Sequence, residues 1–438
     1  MFFEAFVTLL AITRMTNLAA RITGVRLFLP ALSVKRFSLA GAIQEEILAR
    51  QLDTCTTFSD GPWVAYWSAI AYSHIARLDM ELTKNGLDPI MHWVEEDHND
   101  SRPPTGIDEL LRRGAAAMSL TPLGQPLNLD TLKNGAAADD AQSSFAAVDA
   151  ILKAIVYLFI AAWPGNTPKR DESYRMSARL FDILLDAVAP EIGFVIERHV
   201  IPSGDEKISI YGLVPSASKP DQRIPAILVS NGLEGTNVET MLSFLRSQRT
   251  TDCAWFFMEM PGTYAYKNPM EPGDAEQAYR DVISFLASHG LVDSTRIGML
   301  GISFGAYWST RMAIKDKRLA TVISNGAPLR RSFRATASFG MPQIMMQALG
   351  NVVGAKSPAS LGGKLHALAL SQSEMESIQC PILAINGSND TLLSTNDTID
   401  LASWAPHSKL QLYPDDHCAM AHIQEWMDLS KQWFEEHL

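Results

Sequence analysis

The sequence predicts an α/β fold: a mostly parallel sheet with helices on both faces, preceded by an all-helical domain. Two observations predict it. Apolar residues at helical spacing run through residues 43–189 without a convincing strand. After Gly193, apolar runs of strand length alternate with helical segments, as a parallel sheet covered on both faces requires. We therefore expect a helical N-terminal domain at 1–190 and an α/β domain at 191–438.

The amino terminus is apolar from Met1 to Ile12, but it carries Glu4 where a secretory signal needs basic residues. The stretch Arg14–Asn17 that follows is no small-residue cleavage site. We expect an arm that packs on its own domain or on a partner chain, which leaves a homodimer open. A signal or membrane anchor is the less favoured alternative.

The helical domain shows five segments with apolar residues every three or four positions. They are Ile43–Leu52, Trp63–Leu82, Ile107–Met118, Phe145–Trp163 and Tyr174–Val188. The fourth is long and apolar, but Asp149 and Lys153 lie one helical turn apart within it and can pair. This pattern predicts a buried helix rather than a membrane span, and we expect no membrane partner.

The α/β domain begins with a predicted β-hairpin of Phe194–Ile201 and Lys207–Val214. Six apolar runs predict the remaining strands: Pro225–Ser230, Ala254–Met258, Arg296–Leu300, Ala320–Ser324, Ile382–Ile385 and Leu410–Tyr413. An insertion at 330–377 precedes the fifth of these runs and contains Met341 and Met345. It predicts a lid or pocket wall, although an ordinary pair of core-covering helices would have the same pattern.

Composition excludes several classes of function. The 438 residues include 37 Lys and Arg against 48 Asp and Glu, and the net charge of −11 argues against nucleic acid as a partner. The four cysteines stand singly, which predicts neither disulfides nor a zinc site but reduced thiols in a cytoplasmic protein. There is no dinucleotide fingerprint, P-loop or metal-ligand spacing, so we expect no cofactor and no metal.

The strongest chemical signal is the sequence Gly301-Ile-Ser303-Phe-Gly305. It follows a predicted strand directly and opens a predicted helix, which is the context of a nucleophile elbow. A serine on such a strained turn presents its hydroxyl above the sheet, and the small glycines let strand and helix approach closely. We therefore predict that Ser303 is a nucleophile.

A serine nucleophile needs a base and an acid that orients it, and in this context they follow in the order serine, acid, histidine. Asp390 comes just after the fifth apolar run, and His417 comes just after the sixth. The rivals are Asp397 and Asp400 in the next helix and His422 in the terminal helix, which we expect to begin near Ala421. Asp415 and Asp416 are expected to form a solvated turn before the histidine.

Acyl transfer also needs hydrogen-bond donors for the developing oxyanion. One candidate is the N–H of Phe304, and the second is the N–H of Leu233 in the glycine-rich loop Ser230–Thr236. Gly232 and Glu234 lie in the same loop, where Glu234 either meets the substrate or holds the loop. A plain glycine-rich turn is the alternative for this segment.

These motifs resemble the fungal branch of the α/β-hydrolase superfamily that processes polyketides, including pigment hydrolases, and also the bacterial 2,6-dihydroxypseudooxynicotine hydrolase. The resemblance is convincing from about residue 145 onward. It rests on these segments: 157–181, Glu197–Pro202, Asn231–Gly235, Pro261–Gly262, Asp293–Gly298, Gly301–Gly305, Asp390 and His417.

The resemblance implies an α/β-hydrolase fold with a helical cap, and a triad of Ser303, His417 and Asp390. The sequence departs from the family pattern in two places. The oxyanion loop has Asn231 and Glu234 where relatives have a glycine and an aspartate, and Tyr264 replaces a glycine near the expected pocket.

These features together predict an enzyme that forms an acyl-enzyme on a polyketide-type ester, thioester or ketone. If water resolves the acyl-enzyme, the protein is a hydrolase. If an alcohol resolves it, the protein is an acyltransferase or a lactone-forming enzyme. We expect Gly232, Glu234, Tyr264, Met341 and Met345 to contact a small-molecule substrate. An acyl carrier protein could deliver it to the basic pairs 35–36, 112–113 or 330–331. The alternative is a non-catalytic binding protein of the same fold.

Overall fold

A single eight-stranded sheet forms the centre of the protein in a computed structural model that describes residues 2–95, 103–123, 125–129, 138–219, 222–247, 252–336 and 341–438. The strands are β1 (Phe194–Ser203), β2 (Glu206–Pro215), β3 (Ile224–Ser230), β4 (Ala254–Met258), β5 (Val292–Ile302), β6 (Leu319–Asn325), β7 (Ile382–Gly387) and β8 (Ser408–Tyr413). The predicted hairpin and all six predicted strands are confirmed, with somewhat longer bounds.

The strands lie in the order β1-β2-β4-β3-β5-β6-β7-β8. The β1–β2 and β2–β4 pairs are antiparallel, and every other pair is parallel. The carboxyl ends of β3, β5, β6, β7 and β8 therefore meet at one edge of the sheet. Loops that follow these strands can bring distant residues together there.

Nine α-helices of the described residues precede the first strand, and five of them overlap the five predicted helical segments. They are α1 (Phe2–Ile12), α2 (Thr16–Thr23), α3 (Ser33–Gly41), α4 (Glu45–Thr54), α5 (Asp60–Lys84), α6 (Met91–Glu95), α7 (Ile107–Leu120), α8 (Ala138–Ala162) and α9 (Pro168–Val188).

Eight further helices alternate with the strands. They are α10 (Asn237–Ser247), α11 (Pro272–Ser288), α12 (Phe304–Lys315), α13 (Gln343–Val353), α14 (Pro358–His366), α15 (Gln372–Glu376), α16 (Thr395–Trp404) and α17 (Ile423–His437). The predicted insertion at 330–377 contains α13, α14 and α15, while residues 337–340 within it lie outside the described residues.

Two apolar cores lie on opposite faces of the sheet, because successive side chains of a strand point to opposite faces. In β3, Ile227 and Val229 join a core that also contains the N-terminal helices, whereas Ala226 and Leu228 join a core under α11 and α12. The first core is continuous from the helical region to the sheet. The helices therefore rest on the sheet through close apolar packing.

Helix α8 is a buried core helix. Among the described residues it is the one helix long and apolar enough to cross a membrane, and 78% of its apolar window is buried inside the protein. Asp149 and Lys153 form the expected ion pair at 2.6 Å. The Trp63 indole N–H donates to the carbonyl oxygen of Ile160 at 2.9 Å, which ties α5 to α8.

Candidate active site

Ser303 occupies a sharp turn between β5 and α12, with φ of +56° and ψ of −122°. Its N–H donates to the carbonyl oxygen of Asn325 at 2.7 Å. The two flanking glycines are required by close approach: a Cβ at Gly301 would lie 2.2 Å from the carbonyl oxygen of Gly305. A Cβ at Gly305 would lie 2.3 Å from the carbonyl oxygens of Ser230 and Asn231. The strained serine is therefore fixed by backbone packing on both sides.

The structure brings Ser303, His417 and Asp390 together at the carboxyl edge of the sheet. The His417 Nε2 lies 2.9 Å from the Ser303 Oγ, and the His417 Nδ1 lies 2.8 Å from the Asp390 Oδ2. The side chains of His417 and Asp390 are buried, whereas Ser303 is half-buried and borders a cavity. This is the geometry of a serine activated by a histidine base that a carboxylate orients.

Asp390 accepts hydrogen bonds at both carboxylate oxygens. Its Oδ1 accepts from the N–H groups of Leu392 and Leu393 at 2.9 and 2.7 Å, and its Oδ2 accepts from Asn386 Nδ2 at 2.9 Å as well as from His417. Burial alone would raise the pKa of Asp390, but these hydrogen bonds and the His417 charge outweigh it and lower the pKa. The carboxylate therefore stays ionised beside the histidine.

The pKa of His417 is raised above the usual value of a histidine. Burial acts to lower it, while Cys418 and Asp390 act to raise it. The Asp390 part of this effect has a direct structural basis, because the Asp390 carboxylate lies 2.8 Å from His417 Nδ1. A more basic imidazole accepts the Ser303 proton more readily, but it must first be deprotonated.

Asp416 lies in the expected turn before His417, and it also binds the histidine loop to the aspartate loop. Its Oδ1 accepts from the N–H groups of His417 and Thr391 at 2.8 and 2.7 Å, and its Oδ2 accepts from the Thr391 hydroxyl at 2.9 Å. Asp415 is also bonded, since it accepts from the Ala421 N–H at 2.7 Å. The Asp–Asp–His sequence was the one local indication of this role for Asp416. The partner of Asp416, Thr391, is distant in sequence.

Asn386 is a second positioning residue that sequence reasoning missed. Its Nδ2 donates to Asp390, while its Oδ1 accepts from the Cys418 N–H at 3.0 Å. It follows the predicted fifth strand directly, which was the only sequence signal. One buried amide therefore aligns the acid and the base of the triad.

The rival acid and base have other partners. Asp397 is buried and accepts hydrogen bonds from the N–H groups of residues 329–332, so it holds the loop after β6. Asp400 pairs with Arg331. His422 contacts Asp415 at 3.3 Å and precedes α17, which begins at Ile423 rather than near Ala421.

The predicted oxyanion donors lie beside the nucleophile. Phe304 is the first residue of α12, so its N–H has no partner within that helix, and Leu233 lines the same cavity as Ser303. A Cβ at Gly232 would lie 2.8 Å from the Ser303 Cβ, which explains the glycine. Neither N–H group donates in the hydrogen bonds found among the described residues, so both stay candidate donors for a substrate carbonyl.

Asn231 adds a donor that the sequence did not single out. Its Oδ1 accepts from the Met260 N–H at 3.0 Å, which fixes the orientation of the amide. Its buried Nδ2 has no hydrogen-bond partner among the described residues, and Asn231 lines the cavity. A polar group of a bound substrate could satisfy this donor.

The cavity beside Ser303 has a volume of about 470 Å³ and mostly apolar walls. The predicted contacts Gly232, Met341 and Met345 line it. Additional apolar side chains come from the N-terminal helices, from the insertion and from the terminal helix; examples are Leu32, Phe37, Leu349, Phe333 and Trp426. Arg36 and Glu239 also line it and pair with each other, with 2.7 Å between Arg36 Nη2 and Glu239 Oε2.

Glu234 and Tyr264 do not line this cavity, so their predicted substrate contacts are corrected. Glu234 has a φ of +52° and is fully buried against Gly165, where Tyr264 also lies. Burial raises the pKa of Glu234 well above its usual range, against the opposing charges of Arg170 and Arg36. The buried Glu234 side chain therefore packs against Gly165 and does not reach the cavity beside Ser303.

One His and Glu cluster lies away from the cavity, on β1 and after α11. The Nε2 atoms of His199 and His289 lie 2.9 and 3.0 Å from Glu197 Oε2. The Leu291 N–H donates to His289 Nδ1 at 3.3 Å, so the neutral ring carries its proton on Nε2 and donates to Glu197. The cluster is therefore satisfied by its own hydrogen bonds.

Comparisons with known proteins identify the family of this chain. The model of the family described as FrsA-like esterases matches residues 130–438. Esterase FrsA of Vibrio cholerae is 25% identical over 300 residues, which covers 67% of this chain and 71% of the relative. The 2,6-dihydropseudooxynicotine hydrolase of Paenarthrobacter nicotinovorans is 26% identical over 243 residues, covering 54% of this chain and 63% of the relative.

Solved structures show the same fold. A crystal structure of 2,6-dihydroxy-pseudo-oxynicotine hydrolase superposes with a TM-score of 0.64 at 16% identity, covering 92% of this chain and 95% of the other. AbyA5 superposes with a TM-score of 0.56 at 18% identity, covering 66% and 87%. The predicted α/β-hydrolase fold is confirmed, whereas the fungal polyketide branch of the resemblance stays a prediction. The chain belongs to the FrsA-like esterase family, within the serine hydrolases of the α/β-hydrolase superfamily.

Proposed function

We propose that this esterase acts on compounds with a bulky apolar acyl group of the polyketide type, through an acyl-enzyme on Ser303. The observation that carries the proposal is the cavity, which joins the triad to about 470 Å³ of mostly apolar space. Its two charged side chains besides the triad histidine, Arg36 and Glu239, neutralise each other. A small polar ester would leave most of this space unfilled.

The first half-reaction forms the acyl-enzyme. His417 Nε2 accepts the Ser303 proton as Oγ attacks the acyl carbonyl, and the carbonyl π electrons move onto oxygen. The oxyanion accepts hydrogen bonds from the N–H groups of Phe304 and Leu233. When the oxyanion collapses, the bond to the leaving alcohol or thiol breaks and His417 returns the proton to it.

The second half-reaction transfers the acyl group to an oxygen nucleophile. His417 removes a proton from water or from a substrate alcohol, which attacks the ester carbonyl and releases Ser303. Water yields an acid, and an alcohol yields a new ester or a lactone. We propose water as the main acceptor because the FrsA-like relatives are named esterases.

Delivery by an acyl carrier protein has little support from the predicted basic pairs. Lys35 pairs with Glu45 and Arg36 with Glu239. The other two pairs are also partly neutralised, by these contacts: Arg112 with Asp108, Arg113 with Glu109, and Arg331 with Asp400. We therefore propose a free small molecule as the substrate.

A series of p-nitrophenyl esters tests the proposal. We expect kcat/KM to rise from acetyl to butanoyl to octanoyl esters, by up to about fourfold for each methylene that the cavity buries. N-acetylcysteamine thioesters and added alcohols, with product mass spectrometry, identify the leaving group and the acceptor. Highest activity on the acetyl ester would contradict the substrate class, and no turnover of any ester by folded protein would favour the non-catalytic binding alternative.

A further inference from the structure

The N-terminal arm, defined as residues 2–23 with α1, α2 and the turn between them, exposes an unusual amount of apolar surface. Twelve large apolar side chains are exposed in the described part of the chain, and six of them lie on this arm. They are Phe6, Leu9, Ile12, Met15, Leu18 and Ile22, with Ile22 88% exposed. Six exposed apolar side chains within 17 residues indicate a surface that a membrane or another protein covers.

The arm also begins a stretch of sequence that is basic although the whole protein is acidic. No Asp or Glu occurs between Glu4 and Glu45, although the whole chain carries a net charge of −11. Five basic residues lie in that interval. Three of them pair with acids outside the arm: Arg26 with Asp53, Lys35 with Glu45, and Arg36 with Glu239.

Arg14 and Arg21 are the two basic residues of the arm itself. Both are exposed, and neither forms an ion pair with the described residues. Arg14 stands between Ile12 and Met15 in sequence, and Arg21 precedes Ile22. The arm therefore presents positive charge interleaved with apolar side chains, the composition of a helix that binds an anionic lipid surface.

The arm is connected to the substrate cavity. The Thr16 hydroxyl donates to the Gln343 side chain at 2.7 Å, and the Asn17 N–H donates to the same oxygen at 3.2 Å. Gln343 is the first residue of α13 and lies between Pro342 and Met345, which both line the cavity. A surface that the arm contacts is thus adjacent to one wall of the cavity.

We propose that the arm docks this protein on anionic lipid membranes, with its apolar side chains among the acyl chains and its two arginines at the headgroups. At 1.5 Å per residue the 11 residues of α1 span about 16 Å, about half of a bilayer's hydrocarbon core, so the arm lies in the interface and does not cross it. This revises the sequence-based expectation of no membrane partner. A docked protein could take apolar substrate directly from the membrane. Only this consequence, and not the docking itself, rests on the proposed function.

A second copy of the chain is the competing occupant. In a two-fold symmetric interface the same patch meets itself, so the arginines of one arm would approach those of the other. The arm has no acid apart from Glu4 to meet them. Like charges at an interface oppose association, which favours an anionic surface over a second arm.

Vesicle flotation tests the docking directly. Full-length protein is mixed with phosphatidylcholine vesicles or with equal mixtures of phosphatidylcholine and phosphatidylglycerol. We expect flotation with the anionic vesicles, weakened by salt, and a loss of about tenfold or more in partitioning for L18S/I22S. R14Q/R21Q should lose about fivefold for each arginine on anionic vesicles only. M80S removes an exposed apolar side chain from α5 and should float like the wild type.

The readouts separate this inference from the proposed function. S303A should float like the wild type, and L18S/I22S should hydrolyse soluble esters at the wild-type rate. Equal flotation of the wild type and L18S/I22S would overturn the docking, as would the absence of flotation with either vesicle. A dimer in light scattering that L18S/I22S dissociates, without vesicle binding, would assign the surface to a second copy.

Discussion

Two parts of the Ser303 cavity lining are built in opposite ways: the triad with its loops, named here the catalytic end, and the apolar walls, named here the apolar end. At the catalytic end, hydrogen bonds of 2.7–3.0 Å fix Ser303, His417 and Asp390, and further buried polar groups hold their loops. At the other end, apolar side chains such as Met341 and Met345 border the cavity. Polar networks have few satisfied arrangements, whereas apolar contacts tolerate exchange if volume is kept.

We therefore expect the catalytic end to control the rate of the chemical step and the apolar walls to control the choice of substrate. The catalytic end comes from loops after β5, β7 and β8, while the apolar walls come from the N-terminal helices, the insertion and α17. Changes at the catalytic end should lower kcat for every ester. Changes in the apolar walls should alter the preference among esters and leave the chemical step intact.

The largest effect is expected for Asp390→Asn. It removes the charge that favours the imidazolium and allows the wrong tautomer of His417, so kcat should fall by about 10⁴-fold. In the wild type, kcat/KM should fall as the pH drops through the pKa of His417, which Cys418 and Asp390 raise above 6.5 against the effect of burial.

In Asp390→Asn, the midpoint of the fall in kcat/KM should lie at lower pH than in the wild type. The pH profile of the residual ester hydrolysis measures this midpoint. Asp428→Asn, on the exposed side of α17, serves as the control and should change neither value. An unchanged midpoint in Asp390→Asn would show that Asp390 does not set the basicity of His417.

The next effect is expected for Gly326→Ala. A Cβ at Gly326 would lie 2.5 Å from Cys418 Sγ and 3.0 Å from His417 Cε1, so Cys418 must shift and the imidazole must give way by a few tenths of an ångström. Since a displacement of about 1 Å from the reacting geometry costs about 10²-fold in kcat, we expect a loss of between about 10-fold and 10²-fold. Gly204→Ala is the matched control, because Gly204 also has a positive φ but has no atom within 4 Å of its Cβ position. Equal losses in both variants would attribute the effect to backbone strain.

Asp416→Ala should have a smaller effect on the same end. It removes the acceptor for the N–H groups of Thr391 and His417, so the acid and base loops lose their direct connection. We expect kcat to fall by about tenfold with KM nearly unchanged, because the triad groups remain but are less well aligned. Steady-state kinetics on one soluble ester measures kcat and KM separately. A rise in KM with unchanged kcat would contradict the positioning role.

The smallest effect on catalysis is expected for Met345→Ala, at the apolar end. It removes apolar contact area from the cavity wall, so KM for the octanoyl ester should rise by a few fold, corresponding to about 1 kcal/mol of lost contact. The acetyl ester should react with unchanged kcat. A large fall in kcat for both esters would show that the two ends of the cavity are coupled.

The sequence predicts the catalytic end well because its signals are local. A nucleophile elbow, an acid after a strand and a histidine after the next strand each follow an apolar run, and parallel strands bring such positions to one edge. The sequence does not predict which loop side chains point into the cavity and which point into the protein interior. Glu234 has a positive φ and turns into the protein interior with Tyr264, and no motif near Glu234 indicates this.

The positioning residues were also beyond sequence reasoning, for a different reason. Asp416 acts through Thr391, which lies 25 residues earlier, and Asn386 contacts both Asp390 and Cys418, which follows it by 32 residues. Such contacts depend on how two loops meet above the sheet. Composition and periodicity report burial and element type, but they do not report which loop atoms lie within hydrogen-bond distance.

The central claim is that Ser303 is a nucleophile activated by His417. The most direct measurement is labelling of the purified protein with a fluorophosphonate probe, followed by peptide mass spectrometry. We expect rapid labelling at Ser303 that is lost in His417→Ala and unchanged in His422→Ala. Labelling at another residue, or equal labelling of Ser303 in His417→Ala, would contradict the account.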